Sequence, residues 1–368
     1  MSALTTLAVI VNYKSANLTL QAVHSVLNSD SVGPVEIAVI DNSADPEEEN
    51  LLRTCLPQKA DLTVNRRNMG FGAACNAVYE KYDSDCILLL NPDARLLPGS
   101  LLRMQKTLFM SDRIAAVGPQ IYWDDRQHFL LPPSYFPALF FLQTYLSELS
   151  PGSVPEKILN CFWRNYAIRV WTANTPVRVF SLSGGHCLIK RKAVEKTEYL
   201  FDPKFFLYFE DTDLFLRLRK KGYRLMVEPK AGVVHYYDQC ARDEYVQKRK
   251  RMAESFEIFM KKYMPNSNLA LKNLLKHIKY PDQKISRKNE YHLPFSVKIP
   301  EPLQKKWLFE WSPNANFLPA AGCFGKGPVM NFSSDDWNRL SPGIYYGRIG
   351  RPDRIFAKKF IQFSWTVE

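Results

Sequence analysis

The feature that most limits what this chain can fold into is a repeated pattern: a short, largely apolar run that ends in a polar cluster. Leu7 to Val11 leads into Asn12-Tyr13, Val35 to Ile40 into Asp41-Asn42-Ser43, and Cys86 to Leu90 into Asn91-Pro92-Asp93. Near-continuous apolar runs of this length read as strands buried on both faces, the habit of parallel sheets. Leu20, Val23 and Leu27 predict a helix between the first two runs, and Asn76 and Tyr79 fall on a helix before the third. Strands separated by helices form βαβ units, so the expected class is α/β, a mostly parallel sheet flanked by helices. Such sheets bind ligands beyond the carboxyl ends of their strands. The three polar clusters are therefore expected to line one crevice.

Composition narrows the alternatives. The 368 residues suit about two domains, and 46% hydrophobic with 23% charged residues excludes a disordered, collagen-like or coiled-coil chain. Seven scattered cysteines without a C-x-x-C pair argue against a disulfide scaffold and for a reducing compartment. No apolar run approaches the ~18 residues of a membrane span, and the opening run is too short for a signal sequence. The formal charge is +12, and residues 241–288 hold 13 Lys/Arg against 5 Asp/Glu. A basic stretch of this kind favours anionic partners such as a phospholipid surface or phosphate-bearing substrates. It lacks a nucleic-acid-binding motif, so no nucleic-acid partner is expected.

The rest of the chain is less regular. Tyr122 to Val179 carries an aromatic run, Phe136 to Leu142, then Trp163, Tyr166 and Trp171 beside arginines, which suits a membrane interface or an ordinary core helix. Leu182 to Ile189 reads as a strand interrupted by Gly184-Gly185. Asp211 to Gly222 is a clear helix, acidic at its start and basic at its end, and Glu244 to Tyr263 is a second. The expected organisation is a domain over 1–265, a connector over 266–302 that is helical near Leu271 to Ile278, and a small β-rich appendage over 303–368.

Several residues carry possible chemistry. Asn91 and Asp93 place two side-chain oxygens the same way from an extended loop, and a hard cation takes oxygen ligands from one or two carboxylates plus substrate phosphates. Glu210, Asp211 and Asp213 open a helix, where carboxylates cap free N–H groups but can also serve as a general base. His235, at a strand end, could add a nitrogen ligand. Asn68-Met69-Gly70-Phe71-Gly72 leads into a helix whose N-terminus could meet phosphate, yet it is not the G-x-G-x-x-G of dinucleotide binders.

In order and spacing these pieces resemble the GT-A glycosyltransferases of family 2, particularly the rhamnosyltransferase-like branch. The resemblance rests on Val9-Ile10-Val11-Asn12-Tyr13, Val39-Ile40-Asp41-Asn42-Ser43, Asn68-x-Gly70-Phe71-Gly72-x-x-x-Asn76 and Leu88-Leu89-Leu90-Asn91-Pro92-Asp93. It continues with Ser183-Gly184-Gly185, Phe206-x-x-Tyr208-Phe209-Glu210-Asp211-x-Asp213, Gly222-Tyr223-Arg224 and Val234-His235, so that residues 5 to 265 are covered. The resemblance implies a Rossmann-like GT-A sheet and an inverting transfer of a sugar, rhamnose favoured, from a nucleoside-diphosphate sugar to a glycan or lipid-linked saccharide. It implies that Asn12, Tyr13, Asp41, Asn68, Gly70, Asn91 and Asp93 bind the donor. Asp93 and His235 would hold Mg²⁺ or Mn²⁺, Asp211 would be the catalytic base, and Gly184, Gly185 and Glu210 would lie on the acceptor side. Asn91 stands where a strict D-x-D element has its first Asp. The setting implied is the cytoplasmic face of a membrane, with an anionic surface as a further partner. A galactofuranosyl or other hexosyl donor fits the same motifs, and a non-catalytic glycan or nucleotide binder is the alternative of a different class.

Overall fold

The computed structural model describes residues 4–135, 146, 153–236, 244–265, 290–352 and 360–368. The aromatic run Phe136 to Leu142, Cys240 and the expected helical piece Leu271 to Ile278 lie outside the described residues, as does much of the basic stretch. The chain divides into two compact units, residues 1–121 with 173–266, and residues 122–172 with 267–368. The expected contiguous boundaries therefore differ from the observed ones. Residues 122–172 group with the C-terminal strands, and the strand Phe295–Lys298 lies inside the expected connector.

The first unit is built on a nine-stranded sheet. In chain order its strands are β1 (Thr6–Asn12), β2 (Val35–Asp41), β3 (Ala60–Val64), β4 (Cys86–Leu90), β5 (Ala94–Leu96), β6 (Ile114–Tyr122), β7 (Val177–Val179), β8 (His186–Lys190) and β9 (Arg224–His235). Their order is β3-β2-β1-β4-β8-β6-β9-β5, with β7 also on β9. β3, β2, β1 and β4 run parallel; β8 lies antiparallel to β4 and begins the antiparallel half. The expected α/β architecture is present. β1 and β4 are buried along their whole length, which explains their unbroken apolar sequences. Val23 and Val26 of the helix Ala16–Leu27 and Leu101 and Met104 of the helix Ser100–Leu108 pack into the same core as Ile10, Leu88 and Val233. The register pairs Asn12 with Asp41, so two of the polar clusters leave the sheet side by side.

The second unit joins the helix Val154–Trp171 to a β-rich fold. β10 (Glu290–Tyr291), β12 (Trp307–Ser312), β13 (Ala321–Gly325), β15 (Gly343–Gly350) and β16 (Ile361–Val367) form a sheet of order β10-β16-β15-β12-β13, and β11 (Phe295–Lys298) pairs with β14 (Val329–Phe332). Phe295, Phe309, Phe332, Phe363 and Trp365 fill the core beneath these strands. Trp171 packs on Gly322, where a Cβ would lie 2.5 Å from its ring. Among the described residues no helix is long and apolar enough to cross a membrane.

Candidate active site

The crevice is assembled at the ends of β1, β2, β4 and β9 in the first unit. Asn12, fully buried, presents its Nδ2 to Asp41 Oδ1 (2.9 Å), Ser43 Oγ (3.1 Å) and Glu48 Oε2 (3.0 Å). Its Oδ1 accepts from Thr19 Oγ1 (2.8 Å) and Ser15 Oγ (3.2 Å). An amide with two N–H groups facing three acceptors is a fastener between the strand ends, with nothing left for a ligand. Asp41 differs. Its Oδ1 is held by Asn12 and by the Ser43 N–H (2.9 Å), but Oδ2 is buried and makes no hydrogen bond. Buried polar atoms are almost always paired, so this oxygen is a natural acceptor for a ligand N–H.

The Asn68 loop joins this cluster through Asn42, whose Nδ2 donates to the Gly70 carbonyl (3.1 Å). Asn68 Oδ1 accepts from the Gly70 N–H (2.9 Å) and holds Gly70 at φ +84°. A Cβ there would sit 2.4 Å from the Phe206 carbonyl, which itself accepts from the Phe71 N–H (3.0 Å), so glycine is required on both counts. Asn76 binds the Phe201 backbone reciprocally, at 2.8 and 2.9 Å, and so fixes the loop before the acidic helix. Tyr13 turns outward: its hydroxyl donates to Glu244 Oε1 (2.8 Å), which Lys14 Nζ also reaches (2.8 Å).

At the end of β4, the Asn91 N–H donates to the Gly185 carbonyl (2.7 Å), and a Cβ on Gly185 would fall 2.5 Å from Asn91 Nδ2. Asp93 lies beside the last residue of β9, with Oδ1 at 3.2 Å from His235 Nε2. The ring of His186 stands 5.2 Å from that of His235. Burial, and then the neighbouring His235, lower the pKa of His186 to about 3, so it is neutral. His186 was missed by sequence reasoning, although it directly follows Gly184-Gly185. Among the described residues no three His, Cys, Asp or Glu side chains converge as a metal cage. The pair Asp93 and His235 offers one oxygen and one nitrogen, a donor set that fits Mg²⁺ or Mn²⁺ when substrate oxygens and water complete the shell.

The helix Glu210–Lys220 opens after Tyr208 and Phe209, both with positive φ (+71° and +66°), a costly backbone for aromatic residues. Asp211 Oδ2 accepts from the Gly184 N–H (2.9 Å), and Oδ1 from the Thr212 N–H (2.6 Å) and hydroxyl (3.2 Å). A Cβ on Gly184 would lie 2.8 Å from Asp211 Cβ. The two adjacent glycines thus seat Asp211 and Asn91, and they do so in a loop: the strand expected from Leu182 starts only at His186, because the turn that admits both side chains cannot be extended. Burial raises the Asp211 pKa and the backbone donors offset part of that rise. Glu210 is buried, and its side chain faces Gly72 and Cys75. Asp213 is saturated by Arg217 Nε (2.7 Å), Lys262 Nζ (2.6 Å) and the Tyr263 hydroxyl (2.6 Å), which makes it an anchor for the helix Tyr245–Tyr263.

A parallel sheet half with donors and acceptors gathered at its strand ends, and one half-buried carboxylate at a helix mouth, defines an α/β protein with a ligand crevice beyond the carboxyl ends of its strands. Residues 4–255 match the family model described as glycosyltransferase like family 2, and the chain belongs to that family. Two curated relatives, both named N-acetylglucosaminyl-diphospho-decaprenol L-rhamnosyltransferase, from two strains of Mycobacterium tuberculosis, are 29% identical over 189 residues. That alignment takes in 49% of this chain and spans 58% of the length of those relatives. Among solved structures, a mannosyltransferase from Pyrobaculum calidifontis with GDP-Man and Mn²⁺ aligns at TM-score 0.44 and 14% identity, over 67% of this chain and 60% of that one. GalNAc-T7 with UDP, GalNAc and Mn²⁺ aligns at 0.45 and 17%, over 76% and 57%.

Proposed function

We propose that this chain is an inverting glycosyltransferase that moves a sugar, rhamnose in the favoured case, from a nucleoside-diphosphate donor to a hydroxyl of a glycan or lipid-linked saccharide. The observation that carries this reading is Asp211, held by the N–H groups of Gly184 and Thr212 with no cation paired to it among the described residues, in a chain of this family. A carboxylate fixed by backbone donors and raised in basicity by burial suits removal of a proton from an attacking hydroxyl. The unpaired Asp41 Oδ2 receives an N–H of the nucleotide base, while Asn12 keeps that carboxylate in place. Asn68 and Gly70 shape the backbone beside the nucleotide, and Asn91 and Asp93 face the diphosphate. Mg²⁺ or Mn²⁺ held by Asp93 and His235 would neutralise the departing diphosphate as a Lewis acid. Lys248 to Arg251, four consecutive cations on the helix Tyr245–Tyr263, favour an anionic membrane face or a phosphate-bearing acceptor, at the cytoplasmic side.

The test is a panel of nucleoside-diphosphate sugars incubated with the protein, Mn²⁺ or Mg²⁺ and saccharide acceptors, scored by nucleoside diphosphate release. Release with one donor, lost in excess chelator and restored by metal, is expected. Donor binding without release from any donor and acceptor pair would move the chain to the non-catalytic binders.

A further inference from the structure

Glu210 is the buried carboxyl that the reading above leaves without a task. Its residue is 6% exposed, and its Oε2 makes no hydrogen bond. No Lys, Arg or His forms an ion pair with it among the described residues. The groups facing it are Gly72 and the buried thiol of Cys75 from the helix Phe71–Lys81, with Asp211 next to it on its own helix. Cys187 of β8 faces Cys75 and Asp211 and is also buried. Each of these is neutral or negative. An ionised carboxylate in such a place would carry an uncompensated charge, which a protein interior tolerates poorly.

We propose that Glu210 stays an uncharged carboxylic acid at neutral pH, leaving Asp211 as the one uncompensated anion among the described residues at this helix mouth, and that loss of the Glu210 proton sets the alkaline limit of turnover. Asp213 does not compete, since Arg217 and Lys262 neutralise it. Glu210 is a positioning residue in this scheme. Once ionised, it would repel both Asp211 and a donor diphosphate, and the strained Tyr208-Phe209 entry to the helix would have to give way. Burial first, then the charge of Asp211, push the Glu210 pKa up to about 8.

Two measurements on the full chain test this. The turnover arm rests on the transferase reading: kcat/KM of the unmodified protein should fall above pH 8, roughly tenfold per pH unit, and Glu210→Gln should lack that fall. The same alkaline fall in both proteins would overturn the proposal. The second arm needs no substrate. A carboxyl whose pKa rises on folding, from an ordinary 4.5 to about 8, contributes stability that is complete below 4.5 and is lost as pH climbs towards 8. The Tm of Glu210→Gln minus that of the unmodified protein should therefore grow between pH 5 and pH 8 and level off above. A difference independent of pH would overturn the proposal. If no donor in the panel is turned over, the transferase reading fails, and the stability arm still decides the state of Glu210.

Discussion

Glu310 of the second unit and the neighbouring Glu210 and Asp211 of the first are buried in opposite ways. In the second unit Glu310, 2% exposed, lies between Arg164 Nε (2.7 Å) and Arg348, whose Nη2 and Nε reach it at 2.8 and 3.1 Å. Burial alone would raise its pKa, but the two guanidinium groups overturn that and hold it below the ordinary value. In the first unit Glu210 and Asp211 are buried or half-buried with no cation paired to them among the described residues, and both shift upward. A closed set of charges fixes a fold and has nothing to offer a substrate. An open set is costly to maintain and keeps lone pairs for chemistry. On this physical ground the base we propose is Asp211 and not Asp213 two residues on.

The largest expected effect tests the open side. Asp211→Asn should keep the fold, since the amide oxygen can still accept from a backbone N–H, yet lose turnover on the order of 10²–10⁴-fold. Single-turnover kinetics beside a thermal melt will decide. A normal kcat would place the base elsewhere.

Next comes the closed side. Glu310→Ala leaves Arg164 and Arg348 buried without their partner, and breaking a buried ion pair costs about 3–5 kcal/mol. Denaturant unfolding should show a loss of that size in the second unit. Glu310 should also make the protein acid-sensitive. Its folded pKa lies below its unfolded value near 4.5, so its contribution is present above 4.5 and disappears as pH falls through the folded value. A stability unchanged between pH 6 and pH 3.5 would mean that the triad is not closed as described.

Gly184→Ala probes how tightly the open carboxylate is seated. The new Cβ would fall 2.8 Å from Asp211 Cβ, so one of the two must move by several tenths of an ångström. Displacing a reacting group by ~1 Å can cost 10²-fold in rate, whereas overpacking costs stability by about 1–3 kcal/mol. We expect kcat to fall by about tenfold or more with KM for the donor little changed, read from steady-state kinetics. A loss confined to KM would detach Gly184 from Asp211.

How far the sequence revealed this contrast depends on how local each signal is. The ends of β1, β2 and β4 were legible because buried parallel strands are nearly all apolar and stop abruptly at Asn12, Asp41 and Asn91. β3 was not, because its residues are half-exposed and carry no continuous apolar run. Of β9 only the end near Val233-Val234 could be read. Glu228, Pro229 and Lys230 interrupt it, and only tertiary contacts, such as Thr107 Oγ1 on Glu228 at 2.6 Å, make that strand possible. The helix Val154–Trp171 was hidden by its aromatic and arginine content, although Ser153 accepting from the Glu156 N–H, with proline in the first turn, is a readable start signal. The Glu310 triad joins residues 146 and 38 positions apart, and Asp213 is closed by residues about 50 further on. The Glu310 triad leaves no local trace, and of the contacts that close Asp213 only the i,i+4 pair with Arg217 is local.

The smallest expected effect lies at the lip of the crevice, where Lys14 and Glu244 form a pair intermediate between the two extremes. Their side chains are 47% and 20% exposed, and Arg251 approaches Glu244 only to 3.9 Å. The hydrogen bonds from Lys14 and Tyr13 lower the Glu244 pKa, and the same contact raises that of Lys14, so both partners shift towards the charged form. Water screens such a pair, and exposed pairs of this geometry contribute about 0.2–1 kcal/mol. A double-mutant cycle with Lys14→Met and Glu244→Gln should return a coupling in that range that shrinks with added salt. Tyr13 shares Glu244 as its partner, so Glu244→Gln should alter donor KM more than melting temperature. A coupling of about 2 kcal/mol or more would mean that the lip is closed in the manner of Glu310, and the division between the open pair Glu210 and Asp211 and the closed Glu310 triad would then have to be redrawn around Tyr13.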